Sequence, residues 1–184
     1  MKTGVRILAV ASGPIAKGGD TLLVGVIGRN NIVEAVLSRR VKVDGRDSTA
    51  KITSMVRKSR FGEQVRVVAI NGIAVAGLNV IDVRGLEKAT GKKVLIITRK
   101  RPHPSQLIDA LVKNGNTAGI GTGRQVWLVK EYAKNPPKRL LGFYVHTSMD
   151  DPDVKHLSRS AFGMLRLAHL IARGVSTGES KGRI

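Results

Sequence analysis

The chain contains no cysteine. Disulfides, thiolate-held zinc and thiol catalysis are therefore excluded, and a reducing cytoplasm is the expected location. Aromatic rings are nearly as scarce, with Phe61, Phe143, Phe162, Tyr132, Tyr144 and Trp127 making up the whole set. Proteins that hold single strands usually stack successive bases on exposed rings. Several of these rings fall in apolar runs, so no such platform is expected, and recognition through phosphates and shape fits better. Long apolar runs are also missing. The longest uncharged stretch, Val67 to Ile81, is fifteen residues and contains Asn71, Gly72, Gly77 and Asn79, whereas a membrane-spanning helix needs about 20 apolar residues. No membrane partner and no signal peptide are expected.

Negative charge is the other shortage. Thirteen Asp and Glu stand against 32 Lys and Arg, a formal charge of +19 on 184 residues. Basic residues outnumber acidic ones by more than two to one in each third of the chain. The excess is thus spread over the molecule and is not confined to a tail. Charge of this size opposes compaction unless a polyanion lies nearby. Nucleic acid is the commonest polyanion, and Lys and Arg on phosphate gain from counterion release. Six clusters carry much of the charge: Arg39, Arg40 and Lys42; Arg57, Lys58 and Arg60; Lys92 and Lys93; Arg99, Lys100 and Arg101; Lys138 and Arg139; Lys181 and Arg183. These are the candidate phosphate-binding residues, with Arg the better bidentate partner.

The hydrophobic content of 42% supports a folded core, and the length fits one domain spanning residues 1–184. Val5–Ala11, Thr21–Gly28 and Ile32–Val43 read as three strands, the last two joined by a hairpin turn at Arg29-Asn30-Asn31. Asp47, Ser48 or Thr49 can cap a helix bearing Ile52, Met55 and Val56 on one face. Val65–Ile70 and Val94–Thr98 read as strands on either side of a helix over Asn79–Thr90 that ends before Gly91. Lys92-Lys93 and Arg99–Arg101 then mark opposite ends of the sheet. Further helices are expected over Ser105–Lys113, Arg124–Lys134 and Ala161–Arg173, with a strand over Leu140–His146 and an acidic turn at Asp150–Asp153 capping a short helix. Asn114–Gly123 reads as a Gly-rich surface loop and residues 176–184 as a basic C-terminal tail. The order is a three-strand meander followed by alternating helices and strands. It fits an α/β domain with a mixed sheet flanked by helices, the order of ribonuclease H-like folds.

Other chemistries lack their residues. The four histidines, His103, His146, His156 and His169, have no metal-binding spacing. His169 lies in an apolar helix, where a hydrogen-bonded core position is expected, and His103 sits between two prolines. The Gly-rich loop lacks the phosphate-loop pattern, and no G-x-S-x-G nucleophile turn occurs.

The segments VKVDGRDSTAKI (Val41–Ile52), RVVAINGIAVAGLNVIDVRGLEKATGKKVLIITRKRP (Arg66–Pro102) and LRLAHLIARGVSTGESKGR (Leu165–Arg183) resemble, in collinear order, an uncharacterised archaeal family related to endonuclease V. The resemblance implies a ribonuclease H-like fold and relatives that cut nucleic acid with carboxylate-held Mg²⁺. It also implies an Asp pair after the first strand, in a pattern like V-D-D-G-P, and Asp-Gly after the fourth. This chain has Val10-Ala11-Ser12-Gly13-Pro14 and Asn71-Gly72 there. Ala11 cannot ligate a metal, and Ser12 and Asn71 are neutral where Mg²⁺ wants hard anionic oxygens. Asp44 and Asp82 remain as residual metal candidates, while Asp47 is expected to cap a helix.

A catalytically inactive, endonuclease V-like RNA-binding protein is therefore expected. It would need no cofactor and would associate with ribosomal RNA and neighbouring ribosomal proteins. The alternatives are a Mg²⁺-dependent endonuclease on DNA or RNA with a rearranged site, and a DNA-repair accessory that recognises altered bases without cutting.

Overall fold

The computed structural model describes residues 4–15, 19–30, 32–118 and 122–180. The meander comprises β1 (Arg6–Ser12), β2 (Asp20–Arg29) and β3 (Ile32–Lys42). Then follow α1 (Ser48–Lys58), β4 (Val65–Ile70), a two-strand excursion of β5 (Ala74–Val75) and β6 (Asn79–Val80), α2 (Val83–Thr90) and β7 (Lys93–Thr98). The rest is α3 (Pro104–Ala118), α4 (Gly123–Ala133), the hairpin β8 (Lys138–Leu140) and β9 (Phe143–Thr147), and α5 (Asp151–Thr177).

The main sheet has seven strands in the order β3-β2-β1-β4-β7-β9-β8. β1, β4 and β7 run parallel, with antiparallel strands added on both sides. These three central strands are buried on both faces, which is why RILAVAS, VRVVAI and KVLIIT read as continuous apolar runs. One face, through Leu8, Val10, Ile70 and Ile96, belongs to the core that includes residues of α1, α2, α3 and α4. The other, through Ile7, Ala9, Ala11 and Ala69, is covered by α5 with Met164, Leu165, Ala168 and Ala172. The small residues at both levels of that second face let the long helix approach closely.

Five boundaries differ from the sequence expectations. The helix expected from Asn79 begins at Val83, because Asn79 pairs with Val75 in the β5–β6 turn and Asp82 caps the helix by accepting from Gly85 N–H at 2.8 Å. Asp82 is therefore the cap and does not lie one turn inside. The Gly-rich loop at Asn114–Gly123 is helical at both ends, since α3 runs on to Ala118 and α4 starts at Gly123. Residues 119–121 of that segment lie outside the described residues. The strand expected over Leu140–His146 is a hairpin whose turn residues, Leu141 and Gly142, have φ of 52° and 83°. Two left-handed residues match the twist of paired strands. The acidic turn and the last helix are one helix of 27 residues. That helix absorbs the first two residues of the expected tail and stops at Gly178, φ 82°.

Candidate functional site

Open parallel sheets present ligand sites beyond the carboxyl ends of their strands, where connections diverge to opposite sides. Here that point lies between β1, which leads outward to β2, and β4. Ser12 ends β1 and Asn71-Gly72 follow β4, so the fold brings the positions where acids were expected to adjacent strand ends.

Their surroundings are those of a structural turn. Ser12 Oγ accepts the main-chain N–H of Ala76 at 3.0 Å, which ties β1 to the β5–β6 excursion. Ala11 points to the opposite face and is buried under α5. Asn71 is exposed, and Gly72 takes φ 85°. Gly13 is hemmed in, because a Cβ there would come within 3.1 Å of Ala172 O and Ser176 Oγ. The end of α5 therefore seals this corner.

The residual carboxylates are engaged elsewhere. Asp44 (φ 52°) accepts Leu78 N–H at 2.8 Å and donates its own N–H to Ala76 O at 2.9 Å. Asp82, besides capping α2, accepts from Arg124 Nη2 at 2.9 Å. Asp47 occupies the N-cap position of α1 without making the side-chain cap, contrary to its expected role. Its Oδ1 accepts from Asn79 Nδ2 at 2.8 Å, and Asn79 Oδ1 caps the helix by accepting Ser48 N–H at 3.1 Å. Among the described residues no group of three His, Cys, Asp or Glu could hold a metal ion. The residues at the strand ends do not fit carboxylate-held Mg²⁺, since they are an alanine, an amide and a hydroxyl already used by Ala76.

The structure sorts the basic clusters into two ends. β3 runs in the same direction as β1, so Arg39, Arg40 and Lys42 lie at the strand-end side, with Arg39 across β2 from Ser12 through Leu23. Arg99–Arg101 leave β7 on that side, where Thr98 Oγ1 donates to Lys100 O at 2.8 Å. Arg139 joins them through the pairing of Thr98 with Tyr144 and of Tyr144 with Arg139. Lys138 pairs with Val145, one step inward. Continuing the β1–β4–β7 register by two residues gives one row: Arg39, Leu23, Ser12, Gly72, Thr98, Tyr144 and Arg139. At about 4.8 Å per strand the row spans roughly 30 Å.

The other clusters face the opposite end. Arg57 donates to Ala89 O at 2.7 Å, Arg60 lies 4.8 Å over the Phe61 ring, and Lys92 Nζ donates to Glu63 O at 3.1 Å. Lys93 Nζ reaches Ser148 Oγ at 3.3 Å, and Lys58 is exposed beside Arg57. Lys181 and Arg183 lie outside the described residues.

Sequence reading passed over a group on the helical face: Arg84, Arg124, Trp127 and His146, from α2, α4 and β9. No spacing links them, because three separate elements supply them. Of the other histidines, His103 and His156 are exposed and His169 is half-buried on α5. No helix among the described residues is long and apolar enough to cross a membrane.

A family model described as Endonuclease dU matches residues 3–176. A UPF0215 protein of Thermococcus kodakarensis is 34% identical over 197 residues, covering 98% of this chain and 97% of that one. A UPF0215 protein of Deinococcus radiodurans is 30% identical over 173 residues, covering 90% and 84%. Among solved structures, a protein of unknown function from Archaeoglobus fulgidus has a TM-score of 0.80 at 22% identity, covering 93% of this chain and 98% of its own. Human ENDOV has a TM-score of 0.56 at 12% identity, covering 92% and 83%. At these identities the two structural likenesses establish the fold, which is ribonuclease H-like.

Proposed function

The chain belongs to the Endonuclease dU family, an endonuclease V-like group, and from that premise we propose that it binds structured RNA through the strand-end edge without cutting it. One observation carries this reading. The row from Arg39 to Arg139 passes Ser12 and the Asn71-Gly72 turn, where the resemblance implies acids, with basic clusters on both sides and no carboxylate in it. Cations on both flanks of that edge can hold a phosphate chain across it. Hydrolysis needs a metal or general base to activate water there. Ser12 and Asn71 supply neither the charge nor the basicity.

The +19 charge, with basic clusters at both ends of the sheet, favours RNA that surrounds the protein over one groove of a duplex. Ribosomal RNA is the abundant RNA of that kind, and association with a ribosomal subunit is the finer form of the proposal. No cofactor is required by it.

The test pairs binding with cleavage. The purified chain is titrated with a labelled structured RNA and a matched DNA duplex, with Mg²⁺ or Mn²⁺ present, and the products are run on a denaturing gel. The expected result is tight, salt-sensitive RNA binding with intact RNA. Cleavage that EDTA abolishes would overturn the reading in favour of a rearranged nuclease. Sedimentation of native lysate reads the finer claim. Co-migration with one subunit after a salt wash supports it, and recovery only at the top of the gradient removes it.

A further inference from the structure

α5 lays one side on the sheet through Val154, Leu157, Ala161, Leu165, Ala168 and Ala172 and turns the other to solvent. That outer side is cationic along most of its length. At about 100° per residue, Lys155, Arg159, Arg166 and Arg173 fall within a sector of about 40° on the helix surface. They are all the lysine and arginine of the helix, and all four are exposed. Its only acids, Asp151 and Asp153, belong to the first turn and lie outside that sector. At about 1.5 Å per residue the row is about 27 Å long. Because its members stand four and seven residues apart, they form no basic run in the sequence.

Two features call for a polyanion on this side. First, none of the four cations forms an ion pair with a described residue, whereas Arg6, Arg29, Arg84 and Arg124 each do. Exposed faces ordinarily mix both signs of charge. Second, Gly163 stands between Arg159 and Arg166 on this side, and Gly174 follows Arg173. A Cβ at either would meet nothing within 4 Å, and neither has positive φ. Glycine inside a helix is less stable than alanine, and no contact within the chain requires it here. A backbone approaching closely from outside does. Lys155, His156 and Arg159 also line a shallow hollow of about 720 Å³ at the start of the row. The one phenyl ring of α5, Phe162, packs on Phe143 with centroids 4.3 Å apart, so single-stranded bases find no ring to stack on. The apolar stripe of α5 is buried on the sheet, and no second one is left to enter a bilayer. Double-helical RNA, read by shape and backbone, needs neither.

We propose that the outer side of α5 seats a double-helical segment of RNA, with Lys155, Arg159, Arg166 and Arg173 on its phosphates and Gly163 and Gly174 admitting its backbone between them. The proposal rests on the RNA reading above and adds to it a second binding surface, separate from the strand-end row. Contact on this side as well as at the strand ends is what RNA surrounding the protein would make.

Two variants of the full chain test this. One carries Arg159→Gln, Arg166→Gln and Arg173→Gln together. The other is Gly163→Gln, which adds bulk without changing charge. Each is titrated by label anisotropy with a fluorescein-labelled RNA hairpin duplex, with an unstructured RNA strand of equal length, and with phosphatidylserine vesicles. The triple variant should bind the duplex about tenfold or more weakly at ~100 mM salt, with the slope of log K against log salt reduced by up to about 0.9 per lost phosphate contact. The single strand should lose less. Gly163→Gln should melt no lower than the parent and still bind the duplex about tenfold more weakly. Unchanged duplex binding by either variant would overturn the proposal, as would equal losses for duplex and single strand. Vesicle binding that the triple variant abolishes, with duplex binding intact, would assign the face to a membrane and overturn it too. A parent chain that binds neither RNA would instead defeat the RNA reading on which the proposal rests.

Discussion

Asn79 caps a helix from 31 residues away, its Oδ1 accepting the N–H of Ser48 at 3.1 Å. The same amide donates through Nδ2 to Lys42 O at 2.9 Å and to Asp47 Oδ1 at 2.8 Å. One fully buried side chain thus joins β3, α1 and β6 behind the ends of β1 and β4. Asn79→Ala would leave the Ser48 N–H and the Lys42 carbonyl without these partners. The expected loss is roughly 2–4 kcal/mol in urea unfolding, and Asp47→Ala should cost less. A larger loss from Asp47→Ala would contradict this assignment of the cap.

Gly77 takes φ 81°, and a Cβ there would lie 2.2 Å from Asp44 Oδ1. Gly77→Ala should therefore destabilise by more than about 1 kcal/mol, combining left-handed strain with displacement of the carboxylate that accepts Leu78 N–H. Thermal melting reads this directly. An unchanged melting temperature would show that Asp44 does not brace the turn.

The two ends of the sheet should contribute differently to RNA affinity. Neutralising Arg39 and Arg139 together as glutamines should lower the slope of log K against log salt by about 0.7–0.9 for each phosphate that is no longer neutralised. The same change at Arg57 and Lys58 should alter the slope less. Equal effects would mean that the strand-end row is not the principal RNA-binding surface.

Placing carboxylates at the two strand ends tests whether a metal centre fits there. Ser12→Asp with Asn71→Asp places two acids at neighbouring strand ends, where repulsion destabilises the protein unless a cation intervenes. The double variant should melt lower than the parent in EDTA and recover with millimolar Mg²⁺, while the parent ignores Mg²⁺. No recovery would show that the corner closed by the end of α5 has no room for the ion.

Acid should weaken the fold through His146. Burial lowers its folded pKa below the ordinary 6.5, so the unfolded chain binds the proton more readily. That contribution to stability is fully present above pH 6.5 and is lost as pH falls through 6.5 toward the folded value. Glu34 is also lowered, by its bond to Arg6, and its contribution goes only below the ordinary carboxyl range. Urea midpoints at pH 7.5, 6.5 and 5.5 should fall for the parent, and His146→Phe should flatten the part near pH 6. An equally steep fall in that variant would locate the proton uptake elsewhere.

The strands were legible because their apolar runs are local. β1, β4 and β7 sit within a residue of the expected ends, and the altered motif was visible as Ala11, Ser12 and Asn71 standing where acids were expected. The helix boundaries were less so. Asn79 and Val80 fit a helical stripe as well as a strand, and only pairing with Ala74 and Val75 selects the strand. Gly115 and its neighbours look like a loop by composition, yet the continuation of α3 buries Gly115 and makes them helical. Asp47 reads as a cap from sequence alone, but an amide folded in from β6 takes the role.

The sequence by itself determined the α/β order, the surplus of positive charge and the presence of Ala11, Ser12 and Asn71 where the resemblance implies acids. Each of these is a property of residue type or of short-range periodicity. The tertiary structure alone decided which clusters flank the strand ends, which acid braces which turn, and that Trp127, His146, Arg84 and Arg124 share a cleft. Those relations depend on strand register and helix packing, which join residues distant in the chain through interactions that carry no local signature.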